Sequence, residues 1–118
     1  MDKKTIEELL NDYKERVGLT GEDYCSILNL GFIAFRYSEQ NNYEQAARYS
    51  KMAYESSMRL YGPYDVMTNI QLRQLLEYYK LLGDIDSIGS VINDYCRIER
   101  ESSKYELPDD EDEGIPFP

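Results

Sequence analysis

The chain has 118 residues, of which 42% are hydrophobic and 31% charged, a size and composition that suit one domain with a modest core. Its net charge is −10, and residues 106–118 contribute six acidic and no basic side chains to it. Because no lysine- and arginine-rich region accompanies this charge and no histidine offers a general base near neutral pH, we expect neither direct nucleic-acid binding nor catalysis. We also expect no cofactor, since a glycine-rich phosphate-binding motif is absent.

A first helix is predicted over residues 5–17. Thr5 and Glu8 have the spacing of a capping box, and apolar residues follow at three- and four-residue steps. We expect Gly18 to end this helix. This first helix is either the second half of a truncated helix-pair repeat or a cap that covers the first face of the helices that follow.

A second helix is predicted from Thr20 and Asp23 to about Gln40. Apolar residues cover almost its whole circumference, and a helix of this kind is buried on most sides. We therefore expect it to lie between the first and third helices. The alternative is that part of it forms an uncovered binding face.

Asn42 is predicted to cap a third helix, which Gly62 and Pro63 end. Its apolar stripe is narrow and consists of small and aromatic residues, which allow close helix packing. Charged residues occupy the opposite face, where two pairs have the i, i+4 spacing that stabilises helices. These pairs are Glu44–Arg48 and Glu55–Arg59.

Two further helices complete the predicted fold. The fourth runs from about Asp65 to Leu82 and carries apolar residues at helical spacing. Gly83 then turns the chain, and Asp84 is expected to cap a fifth helix that continues to about Ser102.

The segments on either side of Gly62 repeat at an offset of 42 residues, so that Asn42–Ala46 aligns with Asp84–Ile88. A fixed period of this size, in which each unit reads as helix, turn and helix, indicates a stack of helix pairs. Other equivalent positions are Leu28 and Ile70, Leu30 and Leu72, Ile33 and Leu75, Tyr37 and Tyr79, and Ser50 and Ile92.

The repeated residues resemble a tetratricopeptide repeat, and the long spacing, with the linker Leu60–Val66, is similar to the kinesin-light-chain subtype. The resemblance covers roughly residues 22–101, as repeats of about 22–62 and 63–102. It depends in the first copy on Leu30, Ile33, Ala34, Tyr37, Asn41, Asn42, Tyr43, Ala46, Ser50 and Ala53. The second copy is looser, with Leu76, Ile88 and Tyr95 at positions where the family prefers small side chains.

The resemblance implies an all-α fold in residues 1–105, with about five antiparallel helices in a short right-handed superhelix, followed by an acidic tail over 106–118. It also implies protein or peptide binding rather than catalysis. The concave face would then present Leu28, Gly31, Phe35, Ser38, Glu39, Ile70, Arg73, Glu77, Lys80 and Leu81. Its apolar members are otherwise explained as core residues or as a dimer contact.

The lysine and asparagine clamp with which part of the family holds acidic peptide ends is absent here. The resemblance therefore favours a mostly apolar peptide or helix as the ligand. Arg73 and Lys80 would then pair with one or two acidic groups of that ligand.

Residues 106–118 form a tail in which Asp109, Asp110, Glu111, Asp112 and Glu113 are consecutive acids. One interpretation is a solvating tail. The other is that the acidic run contacts a basic partner, while Ile115 and Phe117, held extended by prolines, anchor in a groove. That groove belongs to a partner, to a neighbouring copy or to this chain itself.

Cys25 and Cys96 each fall on an apolar helical pattern, so we expect two reduced cysteines in the core, with a single disulfide as the alternative. The N-terminal residues show neither a signal sequence nor a membrane span. We therefore expect a cytoplasmic protein that does not associate with membranes.

Three functions remain open at this point. The first is an adaptor or regulator that binds a protein segment on the helical face. The second is an acidic antagonist or chaperone whose tail occupies a basic, nucleic-acid-binding site on its partner. The third is a structural subunit that acts by oligomerisation. A homodimer through Tyr78, Tyr79 and Tyr95 is compatible with this last function.

Overall fold

Five α-helices and no strand make up the part of the chain that the structure, a computed structural model, describes, which is residues 4–103. The predicted all-α class is therefore confirmed. The helices are α1 (Ile6–Thr20), α2 (Tyr24–Glu39), α3 (Tyr43–Tyr61), α4 (Val66–Leu82) and α5 (Ile85–Ser103). All tail residues singled out above lie outside the described residues: Asp109, Asp110, Glu111, Asp112, Glu113, Ile115 and Phe117.

The start of α1 is predicted correctly, but its end is not. The Glu8 backbone N–H donates to the Thr5 hydroxyl at 3.1 Å, and the Thr5 N–H donates to the Glu8 carboxylate at 2.8 Å. The helix then continues through Gly18 to Thr20. Gly21, with a φ of 76°, is the residue that ends it. A glycine inside a helix costs only about 1 kcal/mol relative to alanine, so Gly18 alone does not stop the helix.

The N-cap of α2 is Asp23, and Thr20, predicted to start this helix with Asp23, lies in α1 and donates its hydroxyl to the Asp23 carboxylate at 3.3 Å. Thr20 still belongs to α1, where its hydroxyl donates to the Arg16 carbonyl at 3.0 Å. The Asp23 carboxylate accepts the Ser26 N–H at 2.8 Å, and the Ser26 hydroxyl accepts the Asp23 N–H at 2.9 Å. A serine thus completes the reciprocal cap in which glutamate is more usual.

The remaining turns follow the predictions. The Asn42 side chain accepts the N–H of Gln45 at 3.3 Å and caps α3. Gly83 adopts the left-handed conformation with a φ of 72°, and Asp84 accepts the Ser87 N–H at 3.2 Å to cap α5. Because the connections between helices are short, consecutive helices run antiparallel.

Each helix packs against the next one along the chain, and α3 lies at the centre between α2 and α4. The face of α3 that contacts both neighbours is made mostly of small residues, which permit close packing of the helices. Its buried members are Ala46, Ala47, Ser50, Ala53, Tyr54, Ser56 and Ser57. The large apolar side chains of the core, Ile27, Leu30, Ile33, Leu72 and Leu75, come from α2 and α4 and are at most 2% exposed.

The connection between α1 and α2 is held against α3 by Glu22. Its carboxylate accepts two hydrogen bonds from the Arg59 guanidinium, at 2.6 and 3.0 Å, and one from the buried Ser56 hydroxyl. These hydrogen bonds, led by those of Arg59, lower the pKa of the Glu22 carboxyl. Arg59 therefore pairs with Glu22 instead of Glu55, its predicted partner on α3. In the other predicted pair, Glu44–Arg48, the Arg48 guanidinium lies over the Tyr49 ring.

Residues that are 42 positions apart are equally buried where both copies of the repeat pack against neighbouring helices. Leu30 and Leu72 are each 1% exposed. The relation fails on the outer helix of the second pair, because Ser50 is 1% exposed whereas Ile92 is 45% exposed. Within residues 4–103 no sixth helix covers α5 in the way that α4 covers α3. None of the five helices combines the length and apolarity needed to span a bilayer.

Candidate partner-binding cleft between α2 and α4

A cleft of about 280 Å³ runs between α2 and α4 on the side of these helices away from α3. Its lining is almost entirely apolar, and residues at i, i+4 spacing face it from both helices. They are Ile27, Leu28, Gly31, Phe32 and Phe35 from α2, and Ile70, Gln71, Gln74 and Tyr78 from α4. We call this surface the α2–α4 cleft.

The sides of the α2–α4 cleft carry large apolar side chains that reach into solvent. Phe32 is 57% exposed, Phe35 is 53% exposed and Ile70 is 51% exposed. Single exposed apolar residues are ordinary, but a cluster of them along one cleft marks a surface that gains free energy when a partner covers it. Helix α2 packs against both α1 and α3 as predicted, and the exposure of Phe32 and Phe35 shows that part of it is also uncovered.

The floor of the α2–α4 cleft is buried, and its polar groups are few. Ile27 is fully buried, and Tyr78 is 4% exposed. The Gln71 amide donates to the Met67 sulfur at 3.4 Å, while the side chain of Gln74 is exposed. A ligand would therefore meet an apolar floor with a few amide groups able to fix its orientation.

The opening in the middle of the cleft arises from Gly31. A β-carbon built on this residue would have no heavy atom within 4 Å apart from its immediate neighbours in the chain and the backbone of α2. The space beside Gly31 is therefore empty, and any larger side chain at this position would project into it. This property makes residue 31 the natural position at which to block the cleft without disturbing the fold.

Four of the predicted partner-binding residues line the α2–α4 cleft: Leu28, Gly31, Phe35 and Ile70. Sequence reasoning did not single out Phe32, Gln71 or Tyr78 for this surface. Helical spacing could have predicted two of them. Phe32 lies four residues after the predicted residue Leu28. Tyr78 lies four residues after Gln74, which is adjacent to the predicted residue Arg73. These spacings place each pair on one side of a helix.

The other six residues predicted for the concave face lie outside the lining of the cleft: Ser38, Glu39, Arg73, Glu77, Lys80 and Leu81. The Ser38 hydroxyl donates to the Phe35 carbonyl at 2.6 Å, which satisfies it locally. Glu77 and Lys80 form an ion pair with each other at 3.5 Å on the exposed side of α4. Arg73 faces a different groove, described next.

A second, smaller groove of about 220 Å³ lies between α4 and α5. It is apolar except for Arg73, which is exposed and forms no ion pair with any residue in 4–103. The lining residues are Leu72, Arg73, Leu76, Val91 and Tyr95. Helical periodicity places Arg73, Glu77 and Lys80 along the outward ridge of α4, between the two grooves.

The proposed dimer contact through three tyrosines needs a correction. Tyr78 belongs to a core cluster to which α2, α3, α4 and α5 contribute, and only 4% of it is exposed, so a second copy could contact little of it. Tyr79 and Tyr95 are partly buried against the same cluster. Burial, reinforced by the nearby charge of Asp84, raises the pKa of Tyr79.

Both cysteines are exposed and unpaired, so the predicted burial in the core is wrong and the alternative disulfide is not formed. The apolar patterns around Cys25 and Cys96 are wider than the faces that neighbouring helices cover, and both thiols fall on the uncovered part. Residues 4–103 contain no group of three or more His, Cys, Asp or Glu side chains placed to hold a metal ion.

Comparisons with protein-family models, with curated proteins and with solved structures found no match to this chain. The geometry of the α2–α4 cleft, together with the pattern of the sequence, is therefore the basis for any statement about function.

Proposed function

We propose that this chain is a non-catalytic interaction module, an adaptor or regulator that binds an apolar peptide or helix of a partner protein in the α2–α4 cleft. The observation that carries the proposal is the row of half-exposed apolar side chains along both walls of one continuous cleft, formed by Phe32, Phe35 and Ile70. Covering such side chains stabilises a complex by about 25 cal/mol for each Å² of apolar surface removed from water.

The shape of the cleft favours a side-chain-bearing segment over a small molecule. Pockets for drug-sized ligands usually hold about 300–1,000 Å³ and enclose most of the ligand, whereas this cleft holds about 280 Å³ and has exposed walls. On α2 the lining extends from Ile27 to Phe35, which corresponds to about 12 Å of helix axis. That length matches about two turns of a bound helix with anchors at i, i+4 and i+7.

A tetratricopeptide-like arrangement is part of the proposal. The turn positions Asn42 and Asp84 are 42 residues apart and cap the second helix of each pair. Leu28 and Ile70, separated by the same offset, both line the cleft. This correspondence supports two equivalent helix pairs whose first helices share one binding face, and we place such a protein in the cytoplasm, where exposed thiols stay reduced.

The test uses a displayed library of random peptides, selected on the full chain and then measured individually against three variants. Gly31→Leu fills the opening of the cleft, and Phe35→Glu places a charge on its wall. Gly89→Leu is the matched control, because residue 89 also lies in a helix with open space around a built β-carbon, on exposed α5. We expect peptides with apolar residues at helical spacing whose affinity falls about tenfold or more with the two cleft variants and is unchanged by Gly89→Leu.

Equal loss with Gly31→Leu and Gly89→Leu would contradict the proposal, because the effect would then not come from the cleft. Selected peptides that bind all three variants as tightly as they bind the wild type would also contradict it. Far-UV circular dichroism of each variant checks that the helices are intact.

A second candidate function is supported by the five consecutive acids of residues 109–113. In this alternative the tail imitates nucleic acid and occupies a basic site on a nucleic-acid-binding protein. Changing each of these acids to its amide in the full chain separates the two functions. Binding that collapses, and that was steeply salt-dependent before the change, favours the antagonist, whereas binding that survives this change but not Phe35→Glu favours the adaptor.

A further inference from the structure

We infer that the segment Gly114–Pro118 of this same chain occupies the α2–α4 cleft and competes there with the partner. The inference concerns regulation of the proposed binding site and rests on that proposed function. It combines three observations: the apolar cleft, the sequence of the segment and the position of α5 relative to the cleft.

The sequence of the segment suits the cleft. Ile115 and Phe117 are its two large apolar residues, and each is followed by a proline, which restricts both to extended backbone conformations. In an extended chain residues two apart point to the same side, so both side chains face one surface. The gap beside Gly31 and the walls formed by Phe32 and Ile70 offer apolar surface to such a pair.

The distance to be crossed is short. Helices α4 and α5 are antiparallel and of similar length, so Ser103 at the end of α5 lies near the level of Val66, at the start of α4. The cleft is on the opposite side of α4, roughly two helix spacings of about 8–10 Å each from α5. Twelve extended residues, from Ser103 to Ile115, reach about 40 Å, which is enough to cross α4.

Charge complementarity supports this route. The direct path from α5 to the cleft passes over the outward ridge of α4, which carries Arg73 and Lys80. Arg73 forms no ion pair within residues 4–103, and Lys80 pairs only with Glu77. The acidic run begins six residues after Ser103, about 20 Å along an extended chain, so Asp109 to Glu113 pass over this ridge.

Tethering makes a weak contact effective. A segment linked to its binding site by a short chain experiences an effective concentration in the millimolar range, so modest affinity suffices to keep the cleft occupied. A partner must displace the segment, and its apparent affinity for the full chain is reduced accordingly.

The test compares the full chain with the full-length double variant Ile115→Ser/Phe117→Ser by backbone amide NMR. We expect the amides of Gly31, Phe35 and Gln74 to shift, and that of Gly89 on α5 to remain unchanged. The wild-type spectrum should not change on about tenfold dilution, because the contact is intramolecular. A contact that disappears on dilution would mean that a second copy supplies the segment and would overturn the inference, as would identical cleft amides in the two chains.

A synthetic peptide of residues 104–118 carrying a fluorophore provides the second measurement. It should bind the double variant about tenfold or more tightly than the wild type, whose cleft is already occupied. Adding Gly31→Leu to the double variant should abolish this binding, and adding Gly89→Leu should leave it intact. Equal binding to wild type and double variant would overturn the inference.

These outcomes separate this inference from the proposed function. Library peptides that bind the wild type and the double variant equally, and are sensitive to Gly31→Leu, would sustain partner binding while refuting occupation by the tail. Amide shifts in the cleft without any library peptide that binds either chain would sustain occupation by the tail and refute partner binding.

Discussion

Helices α2 and α4 have two differently built sides, one facing α3 and one facing the α2–α4 cleft. On the α3 side large residues such as Leu30 and Leu72 are buried against small ones such as Ala53 and Ala47. On the cleft side Phe32 and Phe35 remain more than half exposed, and Gly31 leaves empty space next to its own backbone. The first side is filled as a folding core is filled, whereas the second has apolar surface without a cover among the described residues.

This difference indicates that the two sides serve different purposes. Folding stability depends on the α3 side, where each atom has close neighbours. The half-exposed walls of the cleft side are expected to contribute less to stability, and the proposed partner would bind there. Stability measurements on variants of each side therefore test the distinction directly, and they require only urea unfolding monitored by far-UV circular dichroism.

The largest effect is expected on the α3 side. Leu30→Ala removes a side chain that is 1% exposed and leaves a cavity between α2 and α3, so unfolding free energy should fall by about 2–5 kcal/mol. Phe32→Ala, two residues further along the same helix, removes more atoms from the cleft wall. Because Phe32 is 57% exposed, it should cost no more than about 1 kcal/mol. A larger cost for Phe32→Ala would contradict the division into two sides.

Overpacking should give the next largest effect. Ala53 has no exposed surface and packs against Ile27 and Leu30, so Ala53→Leu forces helices α2 and α3 apart and should cost about 1–3 kcal/mol. Lys51→Leu on the exposed face of α3 is the control and should be close to neutral. If Ala53→Leu were as well tolerated as the control, the close packing of α3 would be refuted.

Adding a methyl group on the cleft side should raise the unfolding free energy instead of lowering it. Gly31→Ala meets no neighbouring atom and replaces the most flexible residue of α2, so it should raise the unfolding free energy by about 0.8–1 kcal/mol. Gly89→Ala, in an equally open helical position on α5, should give a similar gain. A loss of stability at residue 31 alone would show that other atoms of the chain fill the space beside Gly31 in solution.

The elements of the fold were predictable because local signals determine them. Asn42, Gly83 and Asp84 are the expected caps, and helical spacing identifies the apolar residues of α2 and α4. The end of α1 was not predictable, because Gly18 and Gly21 are both residues that can end a helix, and only their backbone conformation distinguishes them.

The candidate site was predictable only in part. The family resemblance singled out Leu28, Gly31, Phe35 and Ile70 for one face, and the structure places these four along one cleft. The resemblance could not show how far α4 is rotated about its axis, and this rotation moves Arg73 to the α4–α5 groove. The exposure of both cysteines depends in the same way on which parts of α2 and α5 their neighbours cover, and an apolar pattern along one helix does not contain that information.

The smallest effect concerns the polar contact at the edge of the α3 side, where Glu22 accepts hydrogen bonds from Ser56 and Arg59. Since these bonds lower the pKa of Glu22 below its ordinary value of 4.5, the unfolded chain binds a proton more readily than the folded one in that range. The stabilisation is therefore complete above about pH 5 and disappears as the pH falls through the pKa of the folded state. Because the pair is partly exposed, Glu22→Gln should cost only about 0.5–1 kcal/mol at neutral pH.

The difference in unfolding free energy between the wild type and Glu22→Gln should shrink between about pH 5 and pH 3. Glu15→Gln, at an exposed position on α1 without an ion pair in residues 4–103, is the control and should not change stability at neutral pH. A difference that stayed constant across this range would mean that Glu22 acts through its shape and neutral hydrogen bonds alone. In that case the attachment of the α1–α2 connection to α3 would not depend on charge, and the α3 side would owe its stability to packing throughout.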